Sequence, residues 1–325
     1  MKQEPKVFVV KLRPGGGALE ECKKQGKEKE WKLGVCDFCK KNHIIGIGWS
    51  IKENRIINDF EYYKKRFMSS YEKKQFINIQ HLHECKEGDI IITRHIDGTY
   101  YIGKVNRPWK YIGKKKYEYY DVVNNVGMIW YKVKWGRLGL PGDLGISSSF
   151  GNIVIPKTDE IIKEAIKISY NISSGKNYFK INEKIKEKLY GKNALKYLDP
   201  RDLEDFIGLY LQIKFNYKIL PSTWTQSEKD YEFYASKVEG KNKYESIAVQ
   251  VKKSGELDIN KYEKSADKNQ LDKVFLYSGE YNYRNKRNAK KTKIIEENDL
   301  INFMKENRKL IDKTIPIYKL FSTTK

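Results

Sequence analysis

In the first half of the chain, the apolar residues are gathered in short β-prone runs, separated by segments that contain Gly, Asn or Pro. The runs are Val7–Val10, Ile44–Trp49, Asp89–Thr93, Tyr100–Val105 and Met128–Val133. Because β-branched and aromatic runs bounded by turn residues favour strands, this part of the chain is predicted to be β-rich. A helix is predicted over Phe60–Ile79.

The second half has a different pattern. Apolar residues at helical spacing begin at Ile161, and a charge-rich run follows, so residues 158–195 are predicted to form a helical connector. Asp199 is a good N-cap with Pro200 at the first helical position, ahead of an apolar stripe over Leu203–Tyr210. The later predicted elements are strands at Tyr231–Ala235 and Ile247–Lys252, a helix at Asn260–Gln270, a strand at Val274–Tyr277 and a helix at Asp299–Glu306. The order helix, strand, strand, helix, strand indicates a mixed α/β core.

Cysteine, histidine and tryptophan are distributed unevenly. All four cysteines, all four histidines and five of the six tryptophans precede residue 136. With 325 residues, the chain is long enough for two domains of ordinary size. We therefore predict an α+β or α/β protein with a first domain over residues 1–157, a connector over 158–195 and a second domain over 196–325.

The charge is strongly positive, with a net value of +22 and a sequence pI near 9.5. Such an excess favours a polyanionic partner, and nucleic acid is the leading candidate. The alternative is that the lysines reflect an AT-rich genome. No run approaches the roughly twenty apolar residues of a membrane span and no signal-peptide pattern is found, so a cytoplasmic protein with no membrane partner is predicted.

The strand Ile247–Lys252 carries the clearest candidate chemistry. Side chains alternate along a strand, so Gln250 and Lys252 share one face. If this strand pairs with the one that contains Glu232, a carboxylate, an amide and a lysine meet on one patch. Such a patch could hold a divalent metal and activate a water against a phosphodiester. Lys253 lies on the opposite face and is interpreted as a contact to solvent or to the DNA backbone.

Residues 196–280 resemble the Mrr-type branch of the PD-(D/E)xK nuclease superfamily. The segments that carry the resemblance are Leu203-Glu204-Asp205-Phe206, Asn216-Tyr217-Lys218-Ile219, Gln250-Val251-Lys252 and Val274–Tyr277. The family usually has a Gly-Tyr where Asn216 and Tyr217 stand, and an aspartate where Glu232 stands. Asp230 is the alternative to Glu232 as first metal ligand.

The resemblance implies a nuclease α/β core with a Mg²⁺ or Mn²⁺ site. Glu232 and the side-chain oxygen of Gln250 would bind the metal, because Mg²⁺ prefers oxygen ligands. Lys252 would orient the attacking water and stabilise charge on the phosphate. Glu204 would add a ligand through water. The alternative is an inactive α/β module with an exposed Gln/Lys strand face.

Residues 6–156 resemble the EVE and YTH-like members of the PUA superfamily. The matching segments are Phe8–Arg13 with Pro14-Gly15, Ile45–Trp49, Gly88–Ile91, Tyr101–Val105, and Leu140-Pro141-Gly142 ahead of Phe150. The resemblance implies a β-barrel-like domain that holds a modified, flipped-out base in an aromatic pocket. The pocket candidates are Trp49, Trp109, Trp130 and Tyr101, and the alternative is that each ring is ordinary core.

The cysteines and histidines include zinc-like spacing. Cys36 and Cys39 form a Cys-x-x-Cys pair near His43 and Cys22, and a second group lies at 81–85. A second Cys-x-x-Cys pair is missing, so plain reduced cysteines are favoured over structural zinc.

These observations lead to one leading hypothesis and two alternatives. The first is a modification-dependent, type IV-like DNA endonuclease that cuts double-stranded DNA near a modified base in phage defence. Cutting both strands most simply uses two active sites, so a homodimer is expected. The alternatives are a non-catalytic reader of modified DNA or RNA, and an RNA nuclease.

Overall fold

The computed structural model describes residues 4–12, 17–95, 99–133, 153–220, 231–240 and 243–323. These residues form a mixed α+β structure, as the sequence predicts. They divide between Asn182 and Glu183 into two compact units, and this division falls within the segment 158–195. Among the described residues, no helix combines the length and apolar character needed to cross a bilayer.

The first unit is built around one sheet. Its elements are β1 (Val7–Val10), α1 (Gly17–Lys24), α2 (Glu28–Lys41), β2 (Ile44–Ile47), β3 (Ile56–Ile57), α3 (Phe60–Met68), α4 (Phe76–His83), β4 (Ile90–Arg94), β5 (Tyr100–Ile112), α5 (Lys115–Tyr119), β6 (Asn124–Lys132), β7 (Val154–Lys157) and α6 (Glu160–Ser174). The strand order is β2-β6-β5-β4-β1-β7, and β3 pairs with β5.

This sheet is open, which corrects the expected β-barrel-like domain. Among the described residues, β2 pairs only with β6 and β7 only with β1, so the two edges do not meet. Both edge strands are four residues long. Helices pack beside them, α2 on β2 and α4 on β7, and short covered edges need no closure into a barrel.

The helices of the first unit differ from the prediction in two places. The predicted helix Phe60–Ile79 is two helices, and it breaks at Ser69 and Ser70, whose hydroxyls donate to the carbonyl of Arg66. Serine side chains that bond the backbone in this way compete with helix continuation. The helices α1 and α2 were not predicted from the β-prone pattern.

The helix α6 packs on the first sheet, against β4, β5 and β6. Asp159 is its N-cap and accepts hydrogen bonds from two backbone amides of the first turn. The buried ring of Tyr170 meets Tyr131 of β6 edge-on, with ring centroids 5.4 Å apart. The start of the segment 158–195 is therefore part of the first unit.

The second unit has a five-stranded mixed sheet. Its elements are α7 (Glu183–Lys188), α8 (Pro200–Phe215), β8 (Lys218–Ile219), β9 (Phe233–Gly240), β10 (Lys243–Lys252), β11 (Leu257–Asp258), α9 (Ile259–Lys268), β12 (Lys273–Ser278), β13 (Tyr283–Arg284), β14 (Thr292–Ile294), α10 (Glu297–Glu306), α11 (Arg308–Thr314) and α12 (Pro316–Ser322). The strand order is β14-β12-β10-β9-β8, with β9 antiparallel and β12 parallel to β10. The predicted order of helices and strands is confirmed.

Both ends of α8 follow from the sequence. The Asp199 carboxylate accepts from the amide of Asp202 at 2.8 Å, and Pro200 occupies the first turn, as predicted. Asn216 ends the helix in the left-handed conformation, with φ at 59°. Asparagine tolerates this conformation better than most residues other than glycine. This explains how Asn216 can stand where the nuclease resemblance has a glycine.

Candidate functional site

The pairing of β9 with β10 brings three of the predicted residues together. Phe233 lies opposite Val249, and the amide of Glu232 donates to the Val249 carbonyl at 2.8 Å. Glu232 therefore stands beside Gln250, and the Gln250 Nε2 donates to the Glu232 Oε1 at 2.6 Å. Gln250 therefore presents its side-chain nitrogen to Glu232, and the oxygen of the same carboxamide is the atom that could bind a cation.

Lys252 ends β10 on the same face as Gln250. Its Nζ donates to the carbonyl of Glu256 at 3.3 Å. Its charge also acts on Glu232, where it partly offsets the rise in the carboxyl pKa that burial causes. The lysine is thus close enough to Glu232 to influence its ionisation, while its ammonium is only partly engaged by one carbonyl.

Glu204 reaches the same place from α8. Its neighbours Leu203, Phe206 and Ile207 are buried and fix the helix. Burial and, as a second cause, the charge of Glu232 together raise the pKa of Glu204 to about 7. The pKa of Glu232 is also raised, chiefly by burial.

Two half-buried carboxylates, close enough for the charge of Glu232 to raise the pKa of Glu204, favour a bound cation. The donor set is two carboxylates and an amide, all with oxygen atoms, which suits a hard divalent ion such as Mg²⁺ or Mn²⁺. This set has only two carboxylates. Among the described residues, no cluster of three or more His, Cys, Asp or Glu side chains is placed to hold a metal. Asp230, the alternative first ligand, lies outside the described residues.

Lys253 is half-buried and its ammonium bonds within the chain, which the interpretation as a contact to solvent or to the DNA backbone did not include. Its Nζ donates to the carbonyls of Lys196 and Leu198, at 2.7 and 2.8 Å. These carbonyls come directly before Asp199, which caps α8. Lys253 therefore ties the end of β10 to the start of the helix that carries Glu204. Strand alternation predicts that Lys253 points to the other face, but it does not reveal the carbonyls that lie there.

In the first unit, two of the four aromatic candidates line one cleft. Tyr101 and Trp130 line the same partly open cleft. The Trp130 ring lies over Gly103, where an added Cβ would come within 2.7 Å of the ring. The Trp130 indole also donates to the Ile44 carbonyl at 3.0 Å, so its orientation is fixed.

The same cleft has polar residues that the sequence did not reveal. Its other lining residues are Leu12, Cys36, Cys39, Lys40, Thr93 and His95. Lys40 lies over the Tyr101 ring, 4.9 Å from its centroid. The Thr93 hydroxyl is buried and has no hydrogen-bond partner among the described residues. An aromatic wall with a few polar groups is the usual composition of a small-molecule or base pocket.

Trp49 and Trp109 do not join this cleft. Trp109 is buried in the hydrophobic core, where it meets Phe60 and Tyr63 with ring centroids 5.1 and 5.3 Å apart. Such contacts leave no open ring face for a base, so the core alternative applies to Trp109. Trp49 is partly buried against the same core, and its carbonyl accepts from the Tyr63 hydroxyl at 2.8 Å.

All four cysteines are buried thiols and none forms a disulfide. Cys36 and Cys39 belong to α2, and burial raises the pKa of the Cys39 thiol.

No protein-family model matches this chain, and neither the curated proteins nor the solved structures include a significant match.

Proposed function

We propose that this protein is a modification-dependent DNA endonuclease of the PD-(D/E)xK type, with a reader domain similar to the EVE and YTH-like domains. The observation that carries the proposal is the meeting of Glu204, Glu232, Gln250 and Lys252 at one end of β10. A basic chain with net charge +22 also suits a DNA substrate.

The four residues have complementary roles in phosphodiester hydrolysis. Glu232 and the Gln250 oxygen would hold Mg²⁺, and Glu204 would add a ligand through water. When bound, Mg²⁺ neutralises phosphate charge and lowers the pKa of a coordinated water. Lys252 leaves the Glu256 carbonyl, orients the attacking water and stabilises the negative charge that builds on the phosphate.

The cleft of the first unit supports the proposed reader domain. A base turned out of the duplex would stack on Tyr101 or Trp130, while Thr93, His95 and Lys40 read its polar edge. The cleft thus provides a reason for selecting DNA that carries a modified base.

The test is cleavage of supercoiled plasmids that carry 5-methylcytosine, 5-hydroxymethylcytosine or no modification, with Mg²⁺ or with EDTA. We expect Mg²⁺-dependent cleavage of one modified plasmid and loss of cleavage in Lys252→Met. Lys243→Met is the matched control, because Lys243 is an exposed lysine at the other end of β10.

Each alternative predicts a different result. Equal cleavage of all plasmids would contradict modification dependence, and full activity of Lys252→Met would contradict the assigned site. Binding of modified DNA without cleavage would favour the non-catalytic reader. Cleavage of RNA in place of DNA would favour the RNA nuclease. Sedimentation analysis of the protein on DNA tests the expected homodimer.

A further inference from the structure

The segment Tyr281–Lys291, which we call the basic segment, has an unusual charge composition. It contains the cations Arg284, Lys286, Arg287, Lys290 and Lys291, and it contains no Asp or Glu. A run of cations is often only a solvated surface, so its meaning depends on where it lies and on which charges are already neutralised.

The basic segment lies beside the candidate catalytic strand. Gly279, just before it, donates its amide to the Lys252 carbonyl at 2.9 Å. The amide of Leu257 donates to the Asn282 carbonyl at 3.0 Å, and β11 pairs with β13. The segment is thus hydrogen-bonded to the residues that directly follow Lys252.

Nearby carboxylates bind the backbone of this region and leave part of its charge uncompensated. Glu280 accepts from the amide of Gly255 at 3.0 Å, and Glu263 accepts from the amides of Lys290, Lys291 and Thr292 at 2.7 to 3.1 Å. These bonds fix the loop without neutralising its side chains.

Only two of the five cations of the basic segment form ion pairs within the described parts of the chain. Arg284 pairs with Asp258 at 2.6 Å, and Lys291 pairs with Asp267 at 2.8 Å. Lys286, Arg287 and Lys290 are exposed and have no carboxylate partner there. Lys286 is held over the rings of Tyr281 and Tyr283, 3.8 and 5.0 Å from their centroids.

We propose that Lys286, Arg287 and Lys290 bind phosphates of the DNA strand next to the phosphate that is cut. Three uncompensated cations on a fixed loop suit a DNA strand, which carries one phosphate for about every 3.4 Å of helix axis. This proposal rests on the proposed nuclease function, because that function places a phosphate at Lys252. An acidic peptide would also meet the charge, but it has no reason to lie at the end of β10.

The test is the salt dependence of binding to a short DNA duplex, with Ca²⁺ in place of Mg²⁺. The variant is Lys286→Gln, Arg287→Gln and Lys290→Gln combined, and the matched control is Lys305→Gln, Lys309→Gln and Lys313→Gln on α10 and α11. The slope of log Kobs against log salt should fall by up to about 2.7 in the variant, about 0.9 for each lost phosphate contact. Affinity at moderate salt should fall roughly tenfold or more, and the control should change neither value by a comparable amount.

Equal losses of affinity and salt slope in the variant and the control would mean that only net charge matters, and would overturn the proposal. An unchanged salt slope in the variant would also overturn it. A wild-type protein that binds duplex DNA but never cuts it would contradict the proposed nuclease, while the salt slope would still decide the role of the basic segment. Unchanged thermal unfolding of both triple variants shows that the loop has kept its fold.

Discussion

The site around Glu232 and the cleft around Trp130 differ in how their side chains are brought together. Three of the four site residues lie on or beside two adjacent hydrogen-bonded strands, so strand register alone sets their spacing. The cleft takes residues from α2, β4, β5 and β6, which are distant along the chain. The first arrangement depends on local pairing, and the second depends on the packing of the whole unit.

The two places also differ in electrostatics. Two half-buried carboxylates with raised pKa values dominate the site, while the cleft combines two aromatic rings with Lys40, Thr93 and His95. Substitutions at the site should therefore change the rate of cleavage, and substitutions in the cleft should change the preference for modified DNA. The predictions below use this separation, from the largest expected effect to the smallest.

Glu232→Gln should abolish cleavage while binding of modified DNA persists. The change removes the carboxylate that would bind the metal directly, so we expect at least roughly a hundredfold loss of rate. Glu239→Gln, on β9, the strand that begins directly after Glu232, is the control and should cut normally. Single-turnover cleavage and a binding assay measure the two effects. A Glu232→Gln protein that still cuts would make Asp230 the better ligand candidate.

Lys253→Met should reduce cleavage by about tenfold to a hundredfold, because outer-shell partners position metal ligands. The change leaves the carbonyls of Lys196 and Leu198 without their donor and releases the start of α8, which carries Glu204. The Mg²⁺ concentration for half-maximal rate should rise, and Lys253→Arg should restore part of the rate. If Lys253→Met resembled the surface control Lys268→Met, the positioning role would be refuted.

Tyr101→Ala should lower the preference for modified DNA by about tenfold, since stacking on one ring contributes about 1–3 kcal/mol per base. Tyr119→Ala is the control, because Tyr119 is an exposed tyrosine of the same unit. Cleavage of DNA that the protein already binds should stay unchanged. A preserved ratio of modified to unmodified affinity would remove the cleft from the reading mechanism.

Glu204→Gln should make the metal-free protein more stable than the wild type at alkaline pH. The folded pKa of Glu204 is about 7, above its ordinary 4.5, so the wild type loses stability as pH rises from about 4.5 to about 7. Since the group is half-buried, we expect only about 1 kcal/mol in the free energy of unfolding. Urea unfolding near pH 5 and pH 8 in EDTA measures this, and a pH-independent difference would contradict it.

The difference between local strand pairing and the packing of distant segments also explains which features the sequence could predict. Period two placed Gln250 and Lys252 on one face, and Asp199 with Pro200 marked the start of α8, because both signals are local. The helix α2, the cleft residues Lys40 and Thr93, and the open form of the first sheet depend on contacts between distant segments. The carbonyls that Lys253 binds also belong to a distant segment, although the face to which Lys253 points was predictable. The family resemblances stay predictions.

The neighbouring lysines 252 and 253 have a consequence for misfolded forms of the protein. Because one faces the candidate site and the other holds α8, a slip of β10 by one residue would exchange their directions. Such a slip would also turn Val249 and Val251 away from their buried positions. A chain with the wrong register would therefore lose its proposed catalytic lysine and its helix anchor together, and under the proposed function cleavage activity would measure the fraction of molecules that had folded in the correct register.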